Sequence, residues 1–290
     1  MKYLDALALA KLRRLSLHIK RPKVEGLLSG ARMSALKGSS QEFAEYRAYA
    51  PGDDPRQLDW KVLARTDRYY IRERQAESMM AFYALLDGSG SMGYSSQGRE
   101  RKWDYACRLG LAFAYLAMAA KDAAGIGVFG SRPTAFHPPR QDLEHLSRLD
   151  DLLARFEPEG TFPTGSFPSE AASRVAERSH VLFISDFIGD PEAFFKAVRA
   201  LKLRRGVWAI QILDPAERDF DFSGPLLLES LEDRSTLSVE PAMLREEYRS
   251  ALARLVRYYQ AAFSDSQIRF GVYFTDEPWD RALSRFLGLA

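Results

Sequence analysis

Asp87-Gly88-Ser89-Gly90-Ser91-Met92 alternates one carboxylate and two hydroxyls with small residues. The glycines let the chain curl so that Asp87, Ser89 and Ser91 can converge on one point. Hard oxygen donors of this kind suit Mg²⁺, with Mn²⁺ or Ca²⁺ as alternatives, and not zinc or copper. A site with one direct carboxylate binds weakly and keeps open coordination positions. Taken alone, the loop reads equally well as a strand-to-helix connection whose Asp and Ser cap the next helix. Two other segments bear on the choice. Gly160-Thr161-Phe162-Pro163-Thr164-Gly165 offers hydroxyls, although by itself it reads as a turn built from Gly and Pro. Ser185-Asp186-Phe187 puts a second carboxylate at the end of an apolar run. Together the three loops supply two carboxylates and three hydroxyls that one sheet edge can gather, a conjunction far more specific than any one of them.

The elements that must position these loops follow from the apolar pattern. Met80 to Leu86 is a continuous apolar run, as expected of a central strand covered on both faces. A helix apolar nearly all round follows from about Trp103 to Ala120. Strands are expected at Gly125–Phe129, Thr134–His137 (a short edge strand stopped by Pro138 and Pro139), Val181–Ser185, Val207–Leu213 and Ile268–Phe274. Helices are expected at Asp142–Phe156, Ser169–Glu177, Pro191–Leu203, Pro241–Phe263 and Trp279–Leu287, and a hairpin at Leu226–Leu231 with Thr236–Val239. Strands alternating with helices predict an α/β doubly wound, mostly parallel sheet, whose ligand crevice lies beyond the carboxyl ends of the strands. Residues 80–290 are assigned to this domain, with a hairpin insertion near 224–240. Residues 1–79 are assigned to an extension that packs on it without folding independently.

Asp-x-Ser-x-Ser after a buried strand, then a Gly-Thr loop, then a strand ending in Asp resembles the metal-ion-dependent adhesion site of von Willebrand factor A domains. The resemblance implies a six-stranded sheet in the order 3-2-1-4-5-6 with the third strand antiparallel. It implies metal ligation by Asp87, Ser89, Ser91 and Thr161, with Thr164 the other hydroxyl of that loop, and by Asp186 directly or through water. It leaves a coordination position for a partner's acidic side chain, with Met92, Thr164 and Phe187 placed as partner contacts around it. A second set of residues narrows the match: Glu42-Phe43, Arg47-Ala48-Tyr49, Pro51-Gly52-Asp53-Asp54-Pro55-Arg56, Asp59-Trp60-Lys61 and Ala64-Arg65. These resemble the bacterial family called domain of unknown function 58, whose genes often lie beside those of MoxR-type AAA+ ATPases. That resemblance implies a non-enzymatic recognition module with such an ATPase, or its client, as partner. Within the extension, Gln57 to Arg65 is expected to be a short helix whose Trp60 and Leu63 pack on the sheet, with Arg47, Asp59 and Arg65 in buried ion pairs.

Other classes find less support. A haloacid-type phosphatase needs a second Asp where Ser89 stands. A Walker A loop and a Gly-x-Ser-x-Gly elbow are absent, and His18, His137, His145 and His180 lack metal or triad spacing. A Mg²⁺-dependent hydrolase therefore ranks as an alternative. So does nucleic-acid binding: residues 1–80 hold 16 Lys+Arg against 10 Asp+Glu, the remainder 25 against 29, but the basic residues are interleaved with acids and form no known reading motif. Cys107, the sole cysteine, precludes an internal disulfide and reads as a buried thiol in a reducing compartment. The longest apolar run, Leu109 to Ala120, falls short of the roughly 20 residues of a membrane span. The sequence is accordingly read as a cytoplasmic protein that binds neither membrane nor nucleic acid.

Overall fold

The computed structural model describes residues 1–19, 43–50, 58–74, 80–131, 134–202 and 205–289. The Pro51–Arg56 segment and Glu42 lie outside them, as does the side chain of Arg47. Two compact units are present, one made of Met1–Glu25 with Met80–Ala290 and the other of Gly26–Met79.

The larger unit is a six-stranded sheet. Its strands are β3 (Ala81–Asp87), β4 (Ala123–Phe129), β5 (Ala135–Arg140), β6 (His180–Ser185), β7 (Gly206–Leu213) and β10 (Arg269–Phe274), in the spatial order β10-β7-β6-β3-β4-β5. All neighbours pair in parallel except β4 with β5. Numbered within this sheet, that is the expected 3-2-1-4-5-6 order with an antiparallel third strand. β3 lies in the middle, which explains its unbroken apolar run: Phe82 through Asp87 are all buried. β5 runs on through Pro138 and Pro139, where the sequence had expected it to stop. It is an edge strand, so the missing proline N–H groups need not serve a second neighbour.

Alternation along β3 divides the core. Phe82 and Ala84 face α3 (Lys102–Ala119), with the Phe82 and Phe113 rings edge to face at 5.7 Å. Tyr83 and Leu85 face the other layer, formed by α5 (Phe167–Arg174), α6 (Pro191–Ala200) and α8 (Pro241–Asp265), where Phe162, Phe183, Phe187, Phe194, Tyr259 and Phe263 make an aromatic core. α4 (Leu143–Arg155), the short α7 (Pro215–Asp219) and α9 (Trp279–Leu287) complete the unit. A separate antiparallel pair, β8 (Leu226–Glu229) with β9 (Thr236–Val239), forms the expected hairpin.

One boundary moves. α1 (Ala6–Ile19) contacts α3 and α9, Tyr3 Oη donates to Asp104 (2.9 Å), and the Tyr3 N–H donates to buried Asp150 (2.9 Å). The first residues therefore belong with 80–290 and not with the segment that follows them. The smaller unit pairs β1 (Phe43–Ala48) with β2 (Tyr70–Arg74) antiparallel, and α2 (Trp60–Thr66) lies between them in sequence. Asp59 caps α2 by accepting from the Lys61 and Val62 N–H groups. Trp60 is 63% exposed and Arg65 is also exposed, so neither is the buried packing or ion-pair residue expected of it. No residue of this seven-residue helix is buried, so it has no inner face for Trp60 to join.

Candidate metal centre

Asp87 is the last residue of the central strand, and its fully buried carboxylate points into the loop that follows. Oδ1 accepts from the Ser89 N–H (2.8 Å) and Oδ2 from the Ser185 hydroxyl at the end of adjacent β6 (2.6 Å). Among the described residues no basic side chain ion-pairs with it. Burial therefore pushes the carboxyl up to about 7, and neighbouring Asp186 adds to the rise against the hydrogen bonds from Ser185 and Ser89. The hydrogen-bond donors to Asp87 are neutral, so holding it ionised in this buried place is costly.

The Ser89 and Ser91 hydroxyls lie 3.2 Å apart. For Mg²⁺–oxygen bonds of about 2.0–2.1 Å, neighbouring vertices of an octahedron are about 2.8–3.0 Å apart, so the two hydroxyls stand slightly wider than adjacent ligand positions and close on them with a small shift. The glycines serve a purpose different from the expected one. Neither has a positive φ. A Cβ on Gly88 would fall 2.7 Å from the Phe156 ring, and one on Gly90 only 2.1 Å from the Leu231 carbonyl oxygen. They make room for close neighbours. The Gly90 N–H donates to Gly160 O (2.8 Å) and Glu159 N–H to Gly88 O (3.1 Å), which stitches the second loop to the first. Thr161, next to Gly160, is exposed, and Thr164 is half-buried. Phe162 between them is buried against Phe167, Phe183 and Phe194, so the bulky residue in this loop serves the core.

Asp186 follows β6, beside Asp87 on the neighbouring parallel strand. Its backbone is tightly fixed: Gln211 Nε2 donates to its carbonyl (2.8 Å), the Phe187 N–H donates to Ser185 Oγ (2.9 Å), and Tyr259 Oη donates to Phe187 O (3.1 Å). Phe187 is held in the left-handed region at φ 54°, an uncommon conformation for a non-glycine residue. The Asp186 carboxylate has a partner that the sequence reading missed. Lys102 Nζ, fully buried at the start of α3, donates to Asp186 Oδ2 (2.8 Å) and Glu217 Oε1 (2.6 Å). Burial alone would lower the Lys102 pKa, but the two carboxylates outweigh it and hold the ammonium well above its ordinary value. Glu217 is itself fixed by a capping box, accepting from the Asp214 N–H at 2.7 Å while Asp214 accepts from Ala216. A lysine in the first turn of a helix opposes the helix dipole, which is the one sequence signal that it has an acidic partner elsewhere.

The donor set fits a hard cation at Asp87, Ser89 and Ser91. Both oxygens of Asp186 are engaged, Oδ2 by Lys102 and Oδ1 by the Ile188 N–H (3.2 Å). Among the described residues no three His, Cys, Asp or Glu side chains form a metal-holding group, so a cation here would lean on hydroxyls. Two residues expected to touch a partner do not reach the surface. Met92 lies in the short 3₁₀ turn Gly90–Gly93 and Phe187 in the aromatic core, and both are fully buried. Their apolar side chains gain more from packing under the loop than from lining its mouth.

Among known families, the model described as "Protein of unknown function DUF58" matches residues 45–257. The chain belongs to the DUF58 family. It is 28% identical over 249 residues to the uncharacterized proteins Rv1480 of Mycobacterium tuberculosis and Mb1516 of Mycobacterium bovis, spanning 84% of this chain and 77% of each of theirs. Solved structures similar to it include BatB from Bacteroides thetaiotaomicron (15% identity, 72% of this chain and 97% of that one, TM-score 0.45) and the SpRpn10 VWA domain (10% identity, 73% and 95%, TM-score 0.42). At those scores the likeness adds nothing to the strand order itself. As a DUF58 member with this sheet topology, the chain has a von Willebrand factor A-like fold. No described helix is long and apolar enough to cross a membrane.

Proposed function

We propose that this chain is a metal-dependent protein-recognition module and not an enzyme. The observation that carries the reading is Asp87: a buried carboxylate without a basic partner among the described residues, at the C-terminal end of the central strand, beside two hydroxyls 3.2 Å apart. Mg²⁺ is the cation best suited to those donors, with Mn²⁺ or Ca²⁺ able to substitute. Asp87, Ser89 and Ser91 would bind it directly, Thr161 would complete the loop side, and Asp186 would act through water. A cation held by few carboxylates stays electrophilic and gains charge-assisted contacts from a partner's acid. The partner we favour is a MoxR-type AAA+ ATPase or its client, a choice that rests on the family resemblance alone. A cytoplasmic site of action goes with that choice.

Isothermal titration with Mg²⁺ or Mn²⁺ tests the metal reading. Wild type should bind weakly, whereas Asp87→Ala should not bind yet should remain folded, because the change removes an uncompensated buried charge along with a ligand. Equal titration curves for the two proteins would refute it. Association with the purified ATPase should weaken when a chelator is added. Association that ignores chelator would remove the metal from the mechanism, and no association would remove the partner.

A further inference from the structure

The β8–β9 hairpin does not project freely from the domain. Its turn lies on the metal loop, with the Leu231 carbonyl so near Gly90 that a Cβ there would be 2.1 Å away, and the Glu232 backbone nitrogen 3.4 Å from the same point. From that seat the half-buried Glu232 side chain lies beside Ser91 and stands within electrostatic reach of Asp186 and Lys102. The turn is internally braced to aim it. The Ser230 hydroxyl accepts from the Glu232 and Asp233 N–H groups (both 3.3 Å), and Asp233 Oδ1 accepts from the Ser235 N–H (3.0 Å). The hairpin itself is lightly anchored: of its strand residues only Val239 is buried, while Leu227 and Leu237 are 71% and 62% exposed. An element with so little buried apolar surface lifts at low cost.

We propose that Glu232 is an internal carboxylate ligand of the metal centre, so that a partner's acid must displace the chain's own hairpin to reach the cation. The proposal rests on the metal-dependent reading above and adds to it a resting, self-capped state. Carboxylate oxygen is the right donor for a hard cation, and the turn that carries Glu232 already packs on Gly90, between the two hydroxyl residues. Recognition then becomes an exchange of one carboxylate for another. Selectivity lies in what the partner offers the displaced hairpin beyond its acid.

Mn²⁺ binding to the full chain tests the proposal, with affinity read by electron paramagnetic resonance of the free ion and inner-sphere water by proton relaxation. Wild type, Glu232→Gln and the exposed control Glu229→Gln are compared. Glu232→Gln keeps the size and hydrogen-bonding capacity of the side chain but removes its charge. It should raise the Mn²⁺ dissociation constant by about tenfold, the low end of what changes around a metal site cost, and add one exchangeable water on the ion. Glu229→Gln should match wild type in both. Unchanged affinity and water count in Glu232→Gln overturn the proposal while leaving the metal-dependent reading standing. Weakened affinity with an unchanged water count also overturns it, since Glu232 would then act only as a nearby charge. If wild type binds no Mn²⁺, both fall together.

Discussion

Lys102→Met tests whether the ammonium is the structural keystone beneath the Asp87–Met92 loop. The side chain is fully buried and binds two carboxylates at 2.8 and 2.6 Å. Met is similar in length, so the packing of the stem survives and the charge is lost. Removing one partner of a buried pair leaves an uncompensated charge and costs about 3–5 kcal/mol. For a folded unit of this size, 1 kcal/mol lowers Tm by about 2–4 °C, so the transition should fall by about 6–20 °C. Thermal and urea unfolding followed by circular dichroism read this directly. Glu217, pushed up by burial even with the lysine present, loses a cation in the variant. Its acid form is then favoured further in the folded state, so the deficit should shrink as pH falls from 7 towards 5. Adding Glu217→Gln to Lys102→Met should recover part of the loss, through a coupling of about 0.5–3 kcal/mol. Saturating Mg²⁺ should stabilise Lys102→Met more than wild type, because the ion restores positive charge near Asp186. A loss below about 1 kcal/mol, the range of exposed pairs, would refute the reasoning.

Three further outcomes follow. Gly90→Ala forces the Leu231 carbonyl away and should loosen the hairpin, which limited trypsin digestion at Arg234 reads as faster cleavage than in wild type; equal rates would place the turn off the metal loop. Burial lowers the pKa of both His145 and His180, so the unfolded chain takes up protons first as pH falls. The histidines' contribution to stability should be full above the ordinary histidine pKa of 6.5 and be lost as pH drops below it, opposed over the same range by protonation of Asp87. His180→Leu should therefore lose less, or gain more, stability than wild type between pH 7.5 and 5.5, as paired urea midpoints would show, and equal changes in the two proteins would refute it. Cys107 is fully buried and burial raises its pKa, so it should resist a thiol reagent such as dithionitrobenzoate in the native protein and react on unfolding; rapid native labelling would contradict its place in α3.

The central place of Met80–Leu86 and the depth of the helix after it were legible in the sequence, because a strand covered on both faces must be apolar throughout; the strand order was implied only by the resemblance to von Willebrand factor A domains. Asp87 and Asp186 were legible for a related reason: a carboxylate that ends such a strand needs a purpose at the sheet's carboxyl edge. Tertiary structure alone decided the rest. Lys102 meets Asp186 across 84 residues and Glu217 across 115, and no local pattern records such a meeting. Met92 and Phe187 follow Ser91 and Asp186 in sequence as a surface lip would, yet the chain turns both side chains inward. Gly90 reads as a flexible joint, but what it accommodates is a carbonyl 141 positions away. Glu232 sits in an ordinary polar turn whose sequence gives no sign of a ligand. Periodicity and capping are properties of neighbouring residues, and the chain reveals them by itself. Which charge rests on which, and which loop covers the site, depends on how distant segments close on one another.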